Sequence, residues 1–521
     1  MIKRLPIGIQ DFRYMIENDY LYIDKTRYLF NLKDRGKYYF MSRPRRFGKS
    51  LTISTYYYLF HGEKNLFKGT WIYDQWDFEP RPVIRFSMSE LDRTDDRTVK
   101  ESLIYKMEEI YEENNIPVKT RNMKLMFFDL LKKISRNKRA IVLVDEYDKP
   151  ILDHLHEPEM ANKIRNILRL FYSTLKDADP YLDFVFITGI TKFTKTGVFS
   201  TLNNLQDISI KLSCSQMMGY TKTELNHDFE EFVEKGIKVK GLTREAFFQE
   251  IKEYYNGFSF DGEHFVYNPF SILNYLDEYR LKNYWIESGS PSFIVEYAKT
   301  HDIKPNILLG NYIQESILTA YEIEAAPPVS FLIQAGYLTF KGYNTDYGYL
   351  IDYPNKEVRD SFSQLLMISE YHLEDEDAND IRKNIRLALN NDDFELLFNQ
   401  MRRTLSNIPY TLFEPRRKEE KDADFTLRRE AFYHSVVLTM LWAGGIRAKA
   451  EELTALGRAD LILEYEDVVY IMELKKSPPE ISLNQIRKKN YAEKYTGKVY
   501  YVGIEIDDGK RNLTRFKIEK P

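Results

Sequence analysis

Over residues 1–230, short apolar runs alternate with amphipathic stretches. KYYFMS (37–42) and RPVIRFSM (81–88) predict strands. AIVLV (140–144) and LDFVFITGI (182–190) are apolar throughout, as strands buried on both faces must be. Between them, residues 97–115 and 161–177 space their apolar positions three and four apart and predict helices. Strands separated by helices imply a parallel sheet with right-handed crossovers.

From about residue 220 the pattern changes. KTELNHDFEEFVEKG and TREAFFQEIKEYYNGFSF predict amphipathic helices, followed by a turn at Asp261-Gly262 between aromatic strands and then another helix. Short helices and hairpins continue to PPVSFLIQAGYLTFKGYN, and residues 356–412 read as helices. The densely charged FEPRRKEEKDADFTLRRE (413–430) predicts a linker. Beyond it the pattern reads helix, two strands, helix, strand. The expected division is 1–225, 226–350, 351–415 and 416–521.

A chain of 521 residues exceeds what one core supports, so several domains are expected. The net charge of −4 gives no global field for nucleic acid or anionic membrane, so any such contact needs a local basic patch. The single cysteine, Cys214, fits a reducing compartment. The N-terminus lacks the apolar core of a signal peptide, and no apolar run nears the ~20 residues that span a bilayer. A cytoplasmic protein without membrane contact is the expectation.

The run 37–42 leads into Arg-Pro-Arg-Arg-Phe-Gly-Lys-Ser (43–50), after which the pattern turns helical. Strand, tight loop and helix form the context of a phosphate-binding loop, where backbone N–H groups and the helix N-terminus face the phosphates. Gly48 would admit close approach, Lys49 would reach the β/γ-phosphates and Ser50 would hold Mg2+. Against this, Gly-Lys-Ser is common at the head of ordinary helices, and Arg43 stands where such loops open on glycine. Downstream, AIVLV ends in Asp145-Glu146. A buried strand would thus deliver one carboxylate to Mg2+ and a second to polarise attacking water; the plain alternative for Asp145-Glu146-Tyr147-Asp148 is a solvated acidic turn after a strand. FITGITKF (186–193) ends a third strand in Thr188 and Thr191; Thr188 is a candidate γ-phosphate sensor, although strand ends are commonly polar.

GRADLILEYEDVVYIMELKKS (457–477) reads as a hairpin turning at Glu466-Asp467. That register sets Asp460 opposite Glu473, and the i, i+2 spacing sets Lys475 on the face of Glu473. Two close carboxylates bind Mg2+ or Mn2+ through oxygen, and a lysine beside them orients or activates water, which equips a site for phosphodiester hydrolysis. The plain alternative is an amphipathic hairpin with a charged rim. The preceding helix sets Glu430 and His434 at i, i+4, with His434 read as a packing residue rather than a ligand. The following helix sets Gln485 ahead of Tyr491. No His or Cys spacing suits zinc. Lys475, Lys476, Arg487, Lys488 and Lys489 would either track a phosphate backbone or form a solvated face.

Both halves resemble one bacterial and archaeal family. LPIGIQDFRYMIENDYLYIDKT, RPRRFGKSL, VLVDEYDKP and FITGITKF look like its AAA-ATPase-like domain. EAFYHSVVLTML, GRADLIL, YIMELKK and QIRKKNYAEKY look like the PD-(D/E)XK nuclease-superfamily domain fused to it. The resemblance implies an α/β chain with an N-terminal P-loop NTPase with a parallel sheet and a C-terminal α/β restriction-endonuclease-like domain; between them the pattern itself reads as a helical lid or small winged-helix-like region. ATP and Mg2+ (or Mn2+) are the implied cofactors. In that family the loop itself carries arginine at the position of Arg43. Gly48, Lys49 and Ser50 are thus implied to bind nucleotide, with Asp145 and Glu146 as the Walker-B pair. Asp460, Glu473 and Lys475 are implied as the nuclease core, Glu430 as its first-helix acid, and Gln485 and Tyr491 as a nearby helix motif. Arg43, Arg45 and Arg46 would grip the nucleotide, or a neighbouring copy's nucleotide in a homo-oligomer. Alternatively, Pro44 stiffens the loop and the arginines pair with acidic neighbours such as Asp145 or Asp148. The expected function is an ATP-driven or ATP-gated nuclease acting on DNA or RNA, with toxin or anti-phage defence as a compatible setting. The alternative is a nucleotide-dependent switch that binds nucleic acid or a protein without cleavage.

Overall fold

A computed structural model describes residues 3–192, 197–287, 310–318, 328–369, 371–413, 422–454, 457–489, 495 and 497–520. These fall into two compact units: the described residues up to 287 together with 310–357, and those from 358 on.

The first unit is built on a parallel sheet. Its strands are β1 (Tyr38–Ser42), β2 (Val83–Ser87), β3 (Ala140–Asp145), β4 (Leu182–Gly189) and β5 (Gln206–Asp207), arranged β2-β3-β4-β1-β5. Every neighbouring pair is parallel, as the alternation of strands and helices predicts. β1 and β3 are buried along their whole length, because sheet neighbours flank both edges and helices cover both faces. Tyr56 and Phe60 of the helix Lys49–Phe60 pack on Phe184, and Tyr56 also on Phe186, two residues further along β4. Phe86 of β2 meets Phe127 and Phe171 edge-on, from the helices Met123–Ile134 and Pro158–Asp177.

The same unit contains the middle region. Helices Glu230–Lys240, Arg244–Tyr255 and Pro269–Glu278 share an apolar cluster that includes Val233, Phe247, Ile251, Tyr255 and Tyr275. β6 (Phe258–Ser259) and β7 (Phe265–Val266) form the aromatic hairpin, with Gly262 supplying a left-handed residue (φ 82°) at its turn. β8 (Tyr312–Ile313), β9 (Thr339–Asn344) and β10 (Gly348–Asp352) form a small antiparallel sheet beside the helix Pro328–Ala335. Thr339 ties it to β6, its hydroxyl accepting from Ser259 N at 2.8 Å and donating to Ser259 O at 2.9 Å.

The second unit carries a mixed sheet in the order β11 (Arg447–Thr454), β12 (Gly457–Tyr465), β13 (Val468–Lys475), β14 (Lys498–Asp507), β15 (Asn512–Glu519). Only β13–β14 is parallel, and the helix Pro479–Lys488 lies on the crossover between them. Two strands escape the sequence pattern. β11 (RAKAEELT) favours helix by composition, but it is an edge strand and its polar residues are tolerated there. The last predicted strand divides into β14 and β15. The expected linker also differs. Residues 414–421 of it lie outside the described residues, while Asp422–Glu430 begin the helix Asp422–Ala443. Charge density signals solvation rather than irregular backbone, and acidic residues such as Asp422 and Asp424 suit a helix N-terminus.

Gly503 of β14 holds the crossover helix close: a Cβ there would stand 2.2 Å from the Pro479 carbonyl oxygen. Gly503→Ala is therefore expected to lower the stability of this unit by about 1–3 kcal/mol, read as a lower denaturant midpoint.

Candidate functional site

Parallel register brings three strand ends level. Met41 and Ser42 of β1 pair with Thr188 and Gly189 of β4, and Val144 of β3 pairs with Ile187. The phosphate-loop candidate thus leaves the sheet beside Asp145 and Thr188.

Gly48 adopts φ 92°, a left-handed state that costs other residues roughly 1–2 kcal/mol. An added Cβ would meet nothing within 4 Å, so the space above it is open to a ligand. Arg46, also left-handed (φ 67°), lays its guanidinium 4.9 Å from the Phe270 ring centroid. Lys49 is buried and donates to the carbonyl oxygens of Arg43 (2.9 Å) and Pro44 (2.8 Å). Burial lowers its pKa, against the fields of Glu146, Asp145 and Asp148, which gather around it. Ser50, one residue on, faces the same cavity.

The Arg43 guanidinium is fully buried against protein acceptors. It donates to the carbonyls of Ser42 (2.9 Å), Ser209 (2.7 Å) and Cys214 (3.0 Å), and lies 3.8 Å from the Phe260 centroid. The partners are carbonyls and an aromatic face, which the linear sequence does not bring near residue 43.

Asp145 is buried and accepts a 2.7 Å hydrogen bond from Thr188 Oγ1. Thr188 thus holds Asp145. Glu146 has φ 52° and lines the cavity. A strained backbone of this kind persists only where its surroundings impose it. Asp148 Oδ2 accepts from Ile190 N (2.9 Å), Thr191 N (2.6 Å) and Thr191 Oγ1 (2.7 Å), tying the end of β4 to the acidic turn. Burial pushes the Asp148 carboxyl up.

A cavity of about 440 Å3 opens over the loop. Arg46, Gly48, Lys49, Ser50, Glu146 and Lys149 form polar wall; Ile9, Tyr22, Ile23, Met217, Tyr220 and Phe270 form apolar wall. A left-handed loop at a helix N-terminus beside an apolar slot of this size suits a nucleotide.

In the second unit the hairpin has the predicted register, with Tyr465 opposite Val468 and Leu461 opposite Met472. One step further, Asp460 falls across from Glu473. Asp460 Oδ2 accepts from Leu474 N at 3.0 Å and lies 3.6 Å from both Lys475 Nζ and His434 Nε2. Lys475 Nζ is 3.5 Å from Glu473 Oε2, and Gln485 Nε2 donates to that oxygen at 3.1 Å. Glu473 is fully buried, and its Oε1 meets no hydrogen-bond partner among the described residues. Burial and the neighbouring Asp460 raise its pKa well above the usual glutamate range. Glu430 adds to the negative field that, against burial, raises the pKa of Lys475. His434 Nε2 also lies 3.2 Å from the Leu474 carbonyl oxygen, so it braces the hairpin. Tyr491 lies outside the described residues. Two hard carboxylates, one with an orphaned buried oxygen, fit a divalent cation. Among the described residues no three His, Cys, Asp or Glu side chains gather as a ligand set.

Residues 6–199 match the family described as "Predicted AAA-ATPase". A protein of Azotobacter chroococcum mcd 1, "Uncharacterized protein in vnfD 5'region", is 34% identical over 533 residues, covering 99% of each chain. The chain belongs to this predicted AAA-ATPase family. Residues 428–516 match the PD-(D/E)XK nuclease superfamily. No solved structure matches. The AAA-ATPase domain takes in the loop, β3 and β4, and the nuclease-superfamily domain takes in Glu430, Asp460, Glu473, Lys475 and Gln485.

Residue patterns alone did not reveal the groups that hold the AAA-ATPase loop from outside its motif. Trp285 Nε1 donates to Arg45 O at 3.1 Å, and Phe47 packs edge-on against Phe258 and Phe260. No local signal marks them, since their partners are remote in sequence. Thr188→Val should strip Asp145 of its buried donor and destabilise the domain by about 1–3 kcal/mol; an unchanged denaturation midpoint would contradict that role.

Proposed function

We propose that the chain is an ATP-hydrolysing protein whose nucleotide state controls a divalent-metal-dependent nuclease acting on DNA or RNA. The observation that carries this reading is the convergence of Lys475 Nζ on Asp460 Oδ2 (3.6 Å) and on the buried Glu473 Oε2 (3.5 Å), in a chain that also carries a phosphate-loop candidate.

In the AAA-ATPase domain, Lys49 exchanges the Arg43 and Pro44 carbonyls for the β/γ-phosphates of ATP. Ser50 and Asp145, the latter held by Thr188, would hold Mg2+, and Glu146 would polarise the attacking water. In the nuclease domain, Asp460 and Glu473 would hold Mg2+ or Mn2+, which when bound supplies Lewis-acid polarisation and a more acidic water. Gln485 orients Glu473, while Leu474 N and His434 fix Asp460. Lys475 orients water and offsets charge developing on the phosphate. Gating would act on access of nucleic acid to this site.

A second reading, a switch that binds nucleic acid or a protein without cutting, draws on the small donor set. Only two carboxylates converge among the described residues.

Lys49→Ala is expected to abolish ATP binding in titration calorimetry. With Mn2+ or Mg2+, Asp460→Ala and Lys475→Ala should each cut cleavage of plasmid, single-stranded DNA or RNA by at least about 10²-fold, with ATP hydrolysis unchanged. Cleavage that persists in chelator, or in both variants, would sink the nuclease assignment. Metal-replete chain that binds these nucleic acids yet never cuts them would favour the switch.

A further inference from the structure

We propose that Arg43 and Trp285 are positioning residues of the phosphate loop. Trp285 caps a loop carbonyl, and Arg43 ties the start of the loop to the Ser42, Ser209 and Cys214 carbonyls; together they fix the backbone shape that an opening glycine permits through conformational freedom. This rests on the nucleotide-binding reading of the loop.

Four successive carbonyls are capped by side-chain donors. Arg43 Nη1 caps Ser42 O (2.9 Å), Lys49 Nζ caps Arg43 O (2.9 Å) and Pro44 O (2.8 Å), and Trp285 Nε1 caps Arg45 O (3.1 Å). In a planar trans peptide each carbonyl points opposite to the N–H of the next residue. Capping Pro44 and Arg45 therefore turns the N–H groups of Arg45 and Arg46 away from Lys49 Nζ and the indole. With left-handed residues at Arg46 and Gly48, this is the backbone course of an anion-binding nest.

The two residues are themselves fixed. Arg43 joins the loop to the carbonyls of Ser209 and Cys214 and to the Phe260 face. Trp285 donates its backbone N–H to Glu357 Oε1 at 2.8 Å and packs against Tyr337 and Phe258. The second Glu357 oxygen accepts from Ser271 Oγ, also at 2.8 Å, so that buried carboxylate anchors the indole's own segment. Gly336 lies so close to Pro44 that a Cβ there would come within 2.7 Å of its ring, which leaves the loop little room on that side. Lys49 lines the cavity, while Arg43 and Trp285 do not. Arriving phosphates would draw Lys49 from its carbonyls, and the other two caps would remain.

ATP and adenosine binding to the full chain, measured by titration calorimetry, tests this. Arg43→Gly restores the glycine such loops usually carry, yet it is expected to weaken ATP at least about tenfold. Trp285→Phe should weaken ATP about five- to tenfold through one lost bond. Adenosine affinity should change less than about twofold, because only phosphate contacts depend on the loop. Equal losses for ATP and adenosine, or ATP binding by Arg43→Gly as tight as by the unaltered chain, would overturn the inference. If the void left by Arg43 prevents folding, as a lost thermal transition would reveal, Trp285→Phe decides alone. An unaltered chain that binds no ATP defeats the nucleotide reading, and this inference with it; equal ATP affinity in all three chains defeats this inference alone.

Discussion

Strands buried on both faces have nowhere to place a charge except at their ends. β1, β3 and β4 are such strands, and because they run parallel their C-terminal ends meet on one edge of the sheet. The loop after Ser42, the carboxylate of Asp145 and the hydroxyl of Thr188 are neighbours for that reason. Everything else about the candidate nucleotide site refines this meeting. A left-handed Gly48 bends the loop, a left-handed Glu146 turns its carboxylate toward the cavity, and Asp148 stitches the acidic turn to the end of β4.

The nuclease-superfamily sheet solves the opposite problem, since there a carboxylate is itself buried. Glu473 is wholly enclosed, and an isolated charge at such a point would be unfavourable by several kcal/mol. Gln485 from the crossover helix and Lys475 from the same strand face meet one of its oxygens, while the other has no partner among the described residues. A group left so incompletely satisfied indicates that stability was not the only requirement on it.

Much of both sites was legible because each depends on short-range pattern. The strand–loop–helix order around Gly48-Lys49-Ser50 and the apolar run ending in Asp145-Glu146 needed only local periodicity. The hairpin turn at Glu466-Asp467, borne out by the pairing of Tyr465 with Val468, was enough to set Asp460 across from Glu473. The failures have a common cause. β11 is missed because edge position, not composition, makes it a strand. The helix from Asp422 reads as linker because charge reports solvent contact and says nothing of backbone regularity.

Arg43 marks the boundary most clearly. Composition and spacing fix that an arginine stands where a glycine is usual, and that it adjoins a phosphate loop. They cannot fix which way it points, because its partners, the Ser209 and Cys214 carbonyls and the Phe260 ring, are brought there only by tertiary packing. Trp285 is the same case seen from the far side: nothing near it in the chain foretells a bond to Arg45 O. The sequence by itself determined which strands are buried, where their polar ends fall and which residue types cluster there, since periodicity and burial are local properties of the chain. Only the tertiary structure decided which side chain caps which carbonyl, since hydrogen bonds are directional and their partners lie far apart along the chain.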